Sequence, residues 1–247
     1  MTSSDERPSQ TSMEELLLHR YSRAGQPAWL IRLRIGAKRL AWVAVVRSAY
    51  LLKRALDILL AGPLFILLLP IFGLLVLAIR LESPGPALFK QTRVGRWGQI
   101  FTMYKFRSMY MDAEARKAEL QDENEMSGGV TFKMQRDPRI TRIGRFIRKA
   151  SIDELPQLWN VIKGDMSLVG PRPPVPAEVD EYSLSDRRRL EVTPGITCIW
   201  QVSGRSDIPF PQQVELDVRY IESQSLLTDL KLLWQTVPAV LFGRGAY

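Results

Sequence analysis

The sequence contains very little histidine and cysteine. Among its 247 residues there is one histidine, His19, and one cysteine, Cys198. A single cysteine cannot form an intramolecular disulfide, which fits either a reducing compartment or a protein that is indifferent to its redox surroundings. A single histidine, in a poorly patterned N-terminal stretch, argues against zinc sites with two or three histidines and against a Ser–His–Asp triad.

Acidic residues are also absent over a long stretch near the N-terminus. After a polar segment at 1–13, which we predict to be a disordered tail, no acidic residue occurs between Glu15 and Asp57. Segment 14–52 instead interleaves basic residues with tryptophan and aliphatic residues. This pattern is typical of amphipathic helices at an anionic membrane interface; a basic helix packed on the protein's own domain is the alternative. The net charge of +8 also indicates an anionic partner.

Charge of either sign is missing from residues 58–79. A run of about 20 apolar residues is long enough to span a bilayer. Basic residues flank both ends, so the positive-inside tendency gives no orientation. Pro70 has no N–H to donate, and its ring clashes with the carbonyl of Ile66. We therefore predict a re-entrant membrane hairpin over 53–82 that bends at Pro70; a kinked transmembrane helix is the alternative.

Residues 83–247 have the character of a soluble domain. Two alternating stretches, 87–94 and 99–109, flank a glycine-containing link and predict a β-hairpin. Arginines spaced by three over 139–149 place several cations on one helical face. We expect an α+β fold that is mainly helical, with the membrane hairpin, interfacial amphipathic helices and a small β-hairpin.

Asp153 and Glu154 form a carboxylate pair just after the basic helix. The ordinary interpretation is a capping box, with Ser151 as the cap and Glu154 three residues later. The pair also suits a metal-assisted nucleophilic site, in which one carboxylate attacks phosphorus and the other holds Mg²⁺ or a proton. Two glycine-containing loops present Arg172 and Arg205 as candidate phosphate ligands; each, judged alone, is equally an ordinary surface loop.

The order of these segments resembles a known family. After the apolar run come YKFRSM, SIDELPQLWNVIKGDMSLVGPRP, PGITCIWQVSGR and ELDVRY. Over about residues 53–243 the chain is similar to the bacterial sugar transferases, the monotopic phosphoglycosyl transferases. The resemblance implies transfer of a sugar 1-phosphate from a UDP-sugar to polyprenyl (undecaprenyl) phosphate with release of UMP. This is the first membrane step of exopolysaccharide or O-antigen assembly, on the cytoplasmic face of a bacterial inner membrane.

The resemblance also implies roles for individual residues. Asp153 matches the nucleophile that forms a covalent aspartyl phosphosugar, and Glu154 matches a second acid; together they are expected to serve Mg²⁺. Positions placed near the phosphates are matched by Arg148, Arg172, Arg205, Lys105 and Arg107. Asp217 matches a motif position whose role is left open, and Pro70 matches the helix-breaking proline. We expect the neighbouring arginines to keep Asp153 ionised.

Two positions depart from the family pattern, and two other classes of protein explain the sequence less completely. Leu69 precedes Pro70 where many relatives have serine, so the predicted bend depends on Pro70 with less support from the neighbouring side chain. Cys198 stands where glycine is usual and is expected to be a packed residue, not a nucleophile. A nucleic-acid-binding protein would explain the positive charge but not the apolar run, and a non-catalytic scaffold would not need the carboxylate pair. The sequence leaves the sugar and the oligomeric state open, a homodimer included.

Some members of the family carry several transmembrane helices and a further soluble domain before the hairpin. The first 50 residues here are short and basic, and we do not expect them to form such elements. The expected partners are a UDP-sugar, polyprenyl phosphate and an anionic membrane, with no nucleic acid.

Overall fold

The computed structural model describes residues 27–120, 134, 137–204 and 208–242. The chain divides into two compact units, Met1–Lys53 and Arg54–Tyr247. In the first unit the described residues from Ala28 onward are helical, and most of their large apolar side chains are exposed. The predicted tail at 1–13 lies outside the described residues, as do residues 14–26 of the predicted interfacial segment.

The first helix, α1, is continuous over Ala28–Glu82 and contains Pro63 and Pro70. Proline inside a helix removes one backbone hydrogen bond and often kinks the helix without ending it. By length and composition α1 could cross a membrane; its most apolar stretch has a mean hydropathy of 2.7, and 11% of that stretch is buried. The structure therefore does not confirm the re-entrant hairpin, and the bend at Pro70 stays a prediction.

Two small sheets follow α1. Strands β1 (Leu88–Val94) and β2 (Ile100–Phe106) pair antiparallel, with Leu88 opposite Phe106, which confirms the predicted β-hairpin. A 3-10 turn at Arg96–Gly98 joins them. Strands β3 (Ser167–Val169) and β4 (Gly195–Thr197) pair in parallel.

The helices after α1 are shorter. They are α2 (Ala113–Glu119), α3 (Arg142–Lys149), α4 (Gln157–Lys163), α5 (Pro176–Asp180), α6 (Ile199–Ser203), α7 (Phe210–Glu222) and α8 (Leu226–Phe242). Further 3-10 turns occur at Ile152–Glu154 and Asp186–Glu191. The described residues are mostly helical, in agreement with the expected fold class.

Within the second unit, the part of α1 from Arg54 onward packs by one face on the core. Ala61 is buried in a cluster with Leu158 of α4, and Ile79 is buried in a second cluster with Phe106 of β2 and Ile147 of α3. The most exposed apolar side chains of this part of the helix are Leu59, Ile66, Leu67, Leu74, Leu77 and Leu81. This part of α1 thus has one protein-facing and one outward apolar face.

Polar side chains fasten both ends of this segment to the same unit. Near its start, Asp57 Oδ1 accepts hydrogen bonds from Ser167 Oγ at 3.0 Å and from the backbone N–H of Leu168 at 2.9 Å. At its end, the two carboxylate oxygens of Glu82 accept from the backbone N–H groups of Arg142 at 2.7 Å and Ile143 at 3.0 Å. Both ends of the apolar run are therefore held by one folded unit.

Candidate active site

A cavity of about 950 Å³ gathers most of the predicted site residues. Its charged lining consists mainly of Asp153, Glu154, Lys105, Arg148 and Arg172. These residues come from β2, from α3 and the turn after it, and from the loop that follows β3, so the tertiary structure brings together parts of the chain that are far apart in sequence. An apolar wall continues from the charged part, and it includes Leu64, Ile196, Leu233, Ala239 and Val240.

The carboxylate pair lies on the 3-10 turn Ile152–Glu154. The chain reaches this turn from α3 through Ser151, whose φ of 53° and ψ of 22° are in the left-handed region. The Ser151 side chain makes no capping hydrogen bond, so the capping-box interpretation is wrong. Left-handed residues other than glycine are strained and concentrate at functional sites, which favours a chemical role for this turn.

Glu154 is held as an ion by Lys105. The Lys105 Nζ donates to Glu154 Oε1 at 2.6 Å, and the two side chains are 17% and 28% exposed. Burial acts to raise the pKa of Glu154, but the charge and hydrogen bond of Lys105, helped by the charge of Arg172, outweigh it and lower the pKa. Glu154 therefore stays charged and fixed in place.

Asp153 responds differently to the same surroundings. Burial, and then the charge of Glu154, raise its pKa to about 6, against the opposing effects of Lys105 and Arg148. The lowering effect of the cations on the pKa of Asp153 is therefore smaller than the raising effect of burial and Glu154, contrary to the expectation from the sequence. At neutral pH the carboxylate is still mainly ionised, and it is the more basic of the two. Two carboxylates whose pKa values are pushed apart are typical of paired catalytic acids with separate roles.

The Arg172 loop is held by a buried arginine that the sequence analysis missed. Arg93 of β1 is 6% exposed, and its Nη1 donates to the carbonyl of Pro173 at 2.8 Å. Gln91 Oε1 accepts from Arg93 Nη2 at 2.7 Å. Burial, followed by the charge of Arg172, lowers the pKa of Arg93 to about 10. The alternation of β1 predicts that residues 91 and 93 share a face, but nothing local indicates that Arg93 reaches a loop 80 residues away.

Two of the predicted site residues make hydrogen bonds to other parts of the fold, and their roles in a site stay predictions. Arg107 borders the cavity, but its guanidinium donates to the carbonyl of Pro84 at 2.9 Å and to that of Ser83. Asp217 is fully buried outside the cavity lining, and its Oδ2 accepts from Arg189 Nε at 2.8 Å. Burial raises the pKa of Asp217 to about 6, against the charge of Arg189. Arg205 lies outside the described residues.

Cys198 is fully buried, and its Sγ donates to Gln201 Oε1 at 3.1 Å. Burial raises the pKa of the thiol well above its ordinary value. A buried neutral thiol is a poor nucleophile, which confirms that Cys198 is a packed residue.

The carboxylate pair supplies oxygen donors of the kind that Mg²⁺ prefers. Among the residues that the structure describes, no group of three or more Asp, Glu, His or Cys side chains could hold a metal. Mg²⁺ commonly binds to proteins through one or two carboxylates and completes its octahedron with substrate phosphates and water. Asp153 and Glu154 would supply the two carboxylates.

Comparison with known proteins confirms the family. Residues 48–243 match the bacterial sugar transferases, and the chain belongs to this family. Galactosyl transferase CpsE of Streptococcus agalactiae is 52% identical over 81% of this chain and 44% of its own length. An undecaprenyl-phosphate galactose phosphotransferase of Salmonella typhimurium is 43% identical over 81% of this chain and 43% of its own length.

The name of a third relative refers to glucose, where the first two names refer to galactose. The UDP-glucose:undecaprenyl-phosphate glucose-1-phosphate transferase of Caulobacter vibrioides is 42% identical over 79% of this chain and 72% of its own length. The chain spans a little under half the length of the two relatives named before it.

Proposed function

We propose that the protein transfers a sugar 1-phosphate from a UDP-sugar to polyprenyl (undecaprenyl) phosphate and releases UMP. The observation that carries this proposal is the cavity, in which the carboxylate pair and the cations Lys105, Arg148 and Arg172 adjoin an apolar wall. The cations suit phosphates, and the apolar wall suits the lipid acceptor. The names of two relatives point to the same class of reaction. Such a reaction would begin the assembly of an exopolysaccharide or O-antigen type of glycan.

In the proposed first step, Asp153 is the nucleophile. One of its carboxylate oxygens attacks the β-phosphorus of the UDP-sugar, and the bond from that phosphorus to the bridging oxygen breaks. UMP leaves with the electron pair, and an aspartyl phosphosugar forms. Lys105, Arg148 and Arg172 stabilise the charge on the phosphoryl oxygens, which is the main requirement of phosphoryl transfer.

In the proposed second step, an oxygen of the lipid phosphate attacks the same phosphorus. The bond between phosphorus and the Asp153 oxygen breaks, which restores the carboxylate and leaves the sugar on a lipid diphosphate. Mg²⁺, when bound by Asp153 and Glu154, supplies further positive charge beside the diphosphate. Lys105 keeps Glu154 ionised and oriented throughout.

We also infer that the protein attaches to one face of the membrane, with both ends of the apolar run on the cytoplasmic side. The polar contacts of Asp57 and Glu82 support this, because they tie both ends of the run to one folded unit. In a spanning helix the hydrocarbon core, about 30 Å thick, would separate these ends. The polar groups of the unit would then have to cross the core, which is very costly.

A labelling experiment tests this topology. Tags at both termini are expected to be accessible to a membrane-impermeant reagent from the same side of sealed vesicles, and inaccessible from the other side. Vesicles of the opposite orientation provide the control, since both tags should change accessibility together. Labels on opposite sides would establish a true span and refute the one-sided arrangement.

Release of UMP tests the reaction itself. The detergent-purified protein is incubated with Mg²⁺ and a panel of UDP-sugars, with and without polyprenyl phosphate. We expect turnover with one sugar that depends on the lipid, and a stoichiometric burst of UMP without it. The relatives' names are divided between galactose and glucose, so both sugars belong in the panel. A folded protein that releases no UMP from any sugar would contradict the proposal and favour the scaffold.

A further inference from the structure

The arginine-rich helix α3 has an exposed face that the proposed reaction does not use. Arg142, Arg145, Phe146 and Lys149 follow a spacing of i, i+3, i+4 and i+7, which places them on one stripe. All four are exposed, and Phe146 is 65% exposed. Among the residues that the structure describes, none pairs its charge with these three cations. We call this set the α3 stripe.

Contacts between α3 and α1 show where the α3 stripe lies relative to the end of the apolar run. The apolar run of α1 ends at Ile79, and Glu82, three residues later, binds the backbone N–H groups of Arg142 and Ile143. The first turn of α3 therefore begins where the apolar run ends. Ile147, on the buried face of α3, packs in the same cluster as Ile79. Because the axes of packed helices are about 8–10 Å apart, the stripe lies close to the end of the membrane segment.

We propose that the α3 stripe docks on the phosphate headgroups of anionic phospholipids, with Phe146 at the acyl boundary. Guanidinium and ammonium groups bind phosphates through charge-assisted hydrogen bonds, and basic clusters beside a membrane segment favour anionic lipids. An aromatic ring among them is suited to the interface. This inference rests on the proposed attachment of α1 to one face of the membrane.

Nucleic acid is the other ligand that cations around an aromatic ring can bind, through phosphates and stacked bases. It gives no reason for the stripe to begin where the apolar run ends. Phospholipid accounts for both the charge and the position, and we therefore argue for the lipid surface alone.

A fluorophore at position 146 tests the proposal in the 247-residue chain. Phe146→Cys is labelled with an environment-sensitive dye; the native cysteine, Cys198, is buried. The protein is placed in nanodiscs of phosphatidylcholine, alone or mixed with phosphatidylglycerol, that carry a lipid-borne quencher. Leu184→Cys is the matched control, because Leu184 is 89% exposed and lies in neither apolar cluster that contains α1. With phosphatidylglycerol, the dye at 146 is expected to be blue-shifted and quenched several-fold more strongly than the dye at 184.

Removal of the charges should abolish this dependence on anionic lipid. Each cation near an anionic surface contributes about fivefold to binding, so R142Q/R145Q/K149Q is expected to weaken the affinity of the stripe for anionic lipid about 100-fold and to remove the excess quenching at position 146. The control R187Q/R188Q/R219Q removes three arginines elsewhere and should retain it. Equal quenching at 146 and 184, or quenching that persists in the first triple variant, would overturn the proposal. Shielding of the dye by added RNA and not by phosphatidylglycerol would assign the stripe to nucleic acid and also overturn it.

Transferase activity in the same nanodiscs separates this inference from the proposed function. UMP release without lipid contact at position 146 would refute the docking of the α3 stripe and support the proposed reaction. Lipid contact at position 146 without UMP release would refute the proposed reaction and support the docking of the α3 stripe.

Discussion

Asp153→Asn is expected to lower the rate of sugar phosphate transfer by about 10⁴-fold or more, the usual effect of removing a nucleophile that forms a covalent intermediate. The amide has nearly the shape of the carboxylate but cannot form the proposed bond to phosphorus. The burst of UMP in the absence of lipid should disappear together with turnover. Rapid-quench measurement of UMP checks both.

The same substitution should leave the protein at least as stable as the parent. Burial and Glu154 raise the pKa of Asp153 to about 6, from an ordinary value of 3.8. At pH 7.5, above both values, the ionised carboxylate is therefore less favourable in the folded state than in the unfolded state, and its removal relieves this cost. A reactive group that lowers the stability of the folded state is a common consequence of selection for function.

Asp180→Asn is the matched control for this prediction, because Asp180 is an exposed carboxylate on α5. It should change neither the transfer rate nor the unfolding temperature appreciably. A burst of normal size in Asp153→Asn would refute the covalent mechanism. Loss of activity accompanied by a large fall in unfolding temperature would instead indicate a structural role for Asp153.

Arg172→Gln is expected to slow the UMP-forming step by about 10²–10³-fold, the usual effect of removing one donor to a charged transition state. Arg172 borders the cavity with the carboxylate pair, and its charge helps to lower the pKa of Glu154. Arg172→Lys should restore only part of the rate, since an ammonium lacks the planar fork that binds two phosphate oxygens. Single-turnover measurement of UMP release provides the test.

Arg188→Gln is the control for Arg172, because Arg188 pairs with the exposed Glu222 at 3.0 Å. Exposed ion pairs of this kind contribute little, so the variant should behave as the parent does. If Arg172→Gln and Arg188→Gln had the same rate of UMP release, Arg172 would not contact the phosphates, and the Arg172 loop would have no part in the reaction.

Local pattern predicts a feature correctly here when neighbouring residues are sufficient to form it. The alternation and the glycine-containing link between 87 and 109 predict the β-hairpin, because strand pairing across a short turn needs only adjacent residues. Ser151 shows the limit of the same reasoning. Its spacing to Glu154 predicts a capping box, but the chain turns at Ser151 in a left-handed conformation and its hydroxyl makes no cap.

Contacts between distant segments lie beyond such patterns. Arg93 and Pro173 are 80 residues apart, and their hydrogen bond depends on how β1 packs against the loop after β3. The motifs that contain Arg107 and Asp217 do not show that Arg107 donates to the carbonyl of Pro84, just after α1, or that Asp217 is buried against Arg189. A motif identifies a residue as important without showing which partner it meets.

Sequence by itself determined the family, the carboxylate pair and the apolar run, because motif order, residue type and uninterrupted hydrophobicity are properties of the chain. Only the tertiary structure decided that Lys105, Arg148 and Arg172 join Asp153 and Glu154 in one cavity, and that both ends of the apolar run are tied to the same unit. The physical reason is that these features consist of hydrogen bonds and charge contacts made across large sequence separations. Such contacts exist only once the chain has packed, and no local periodicity encodes them.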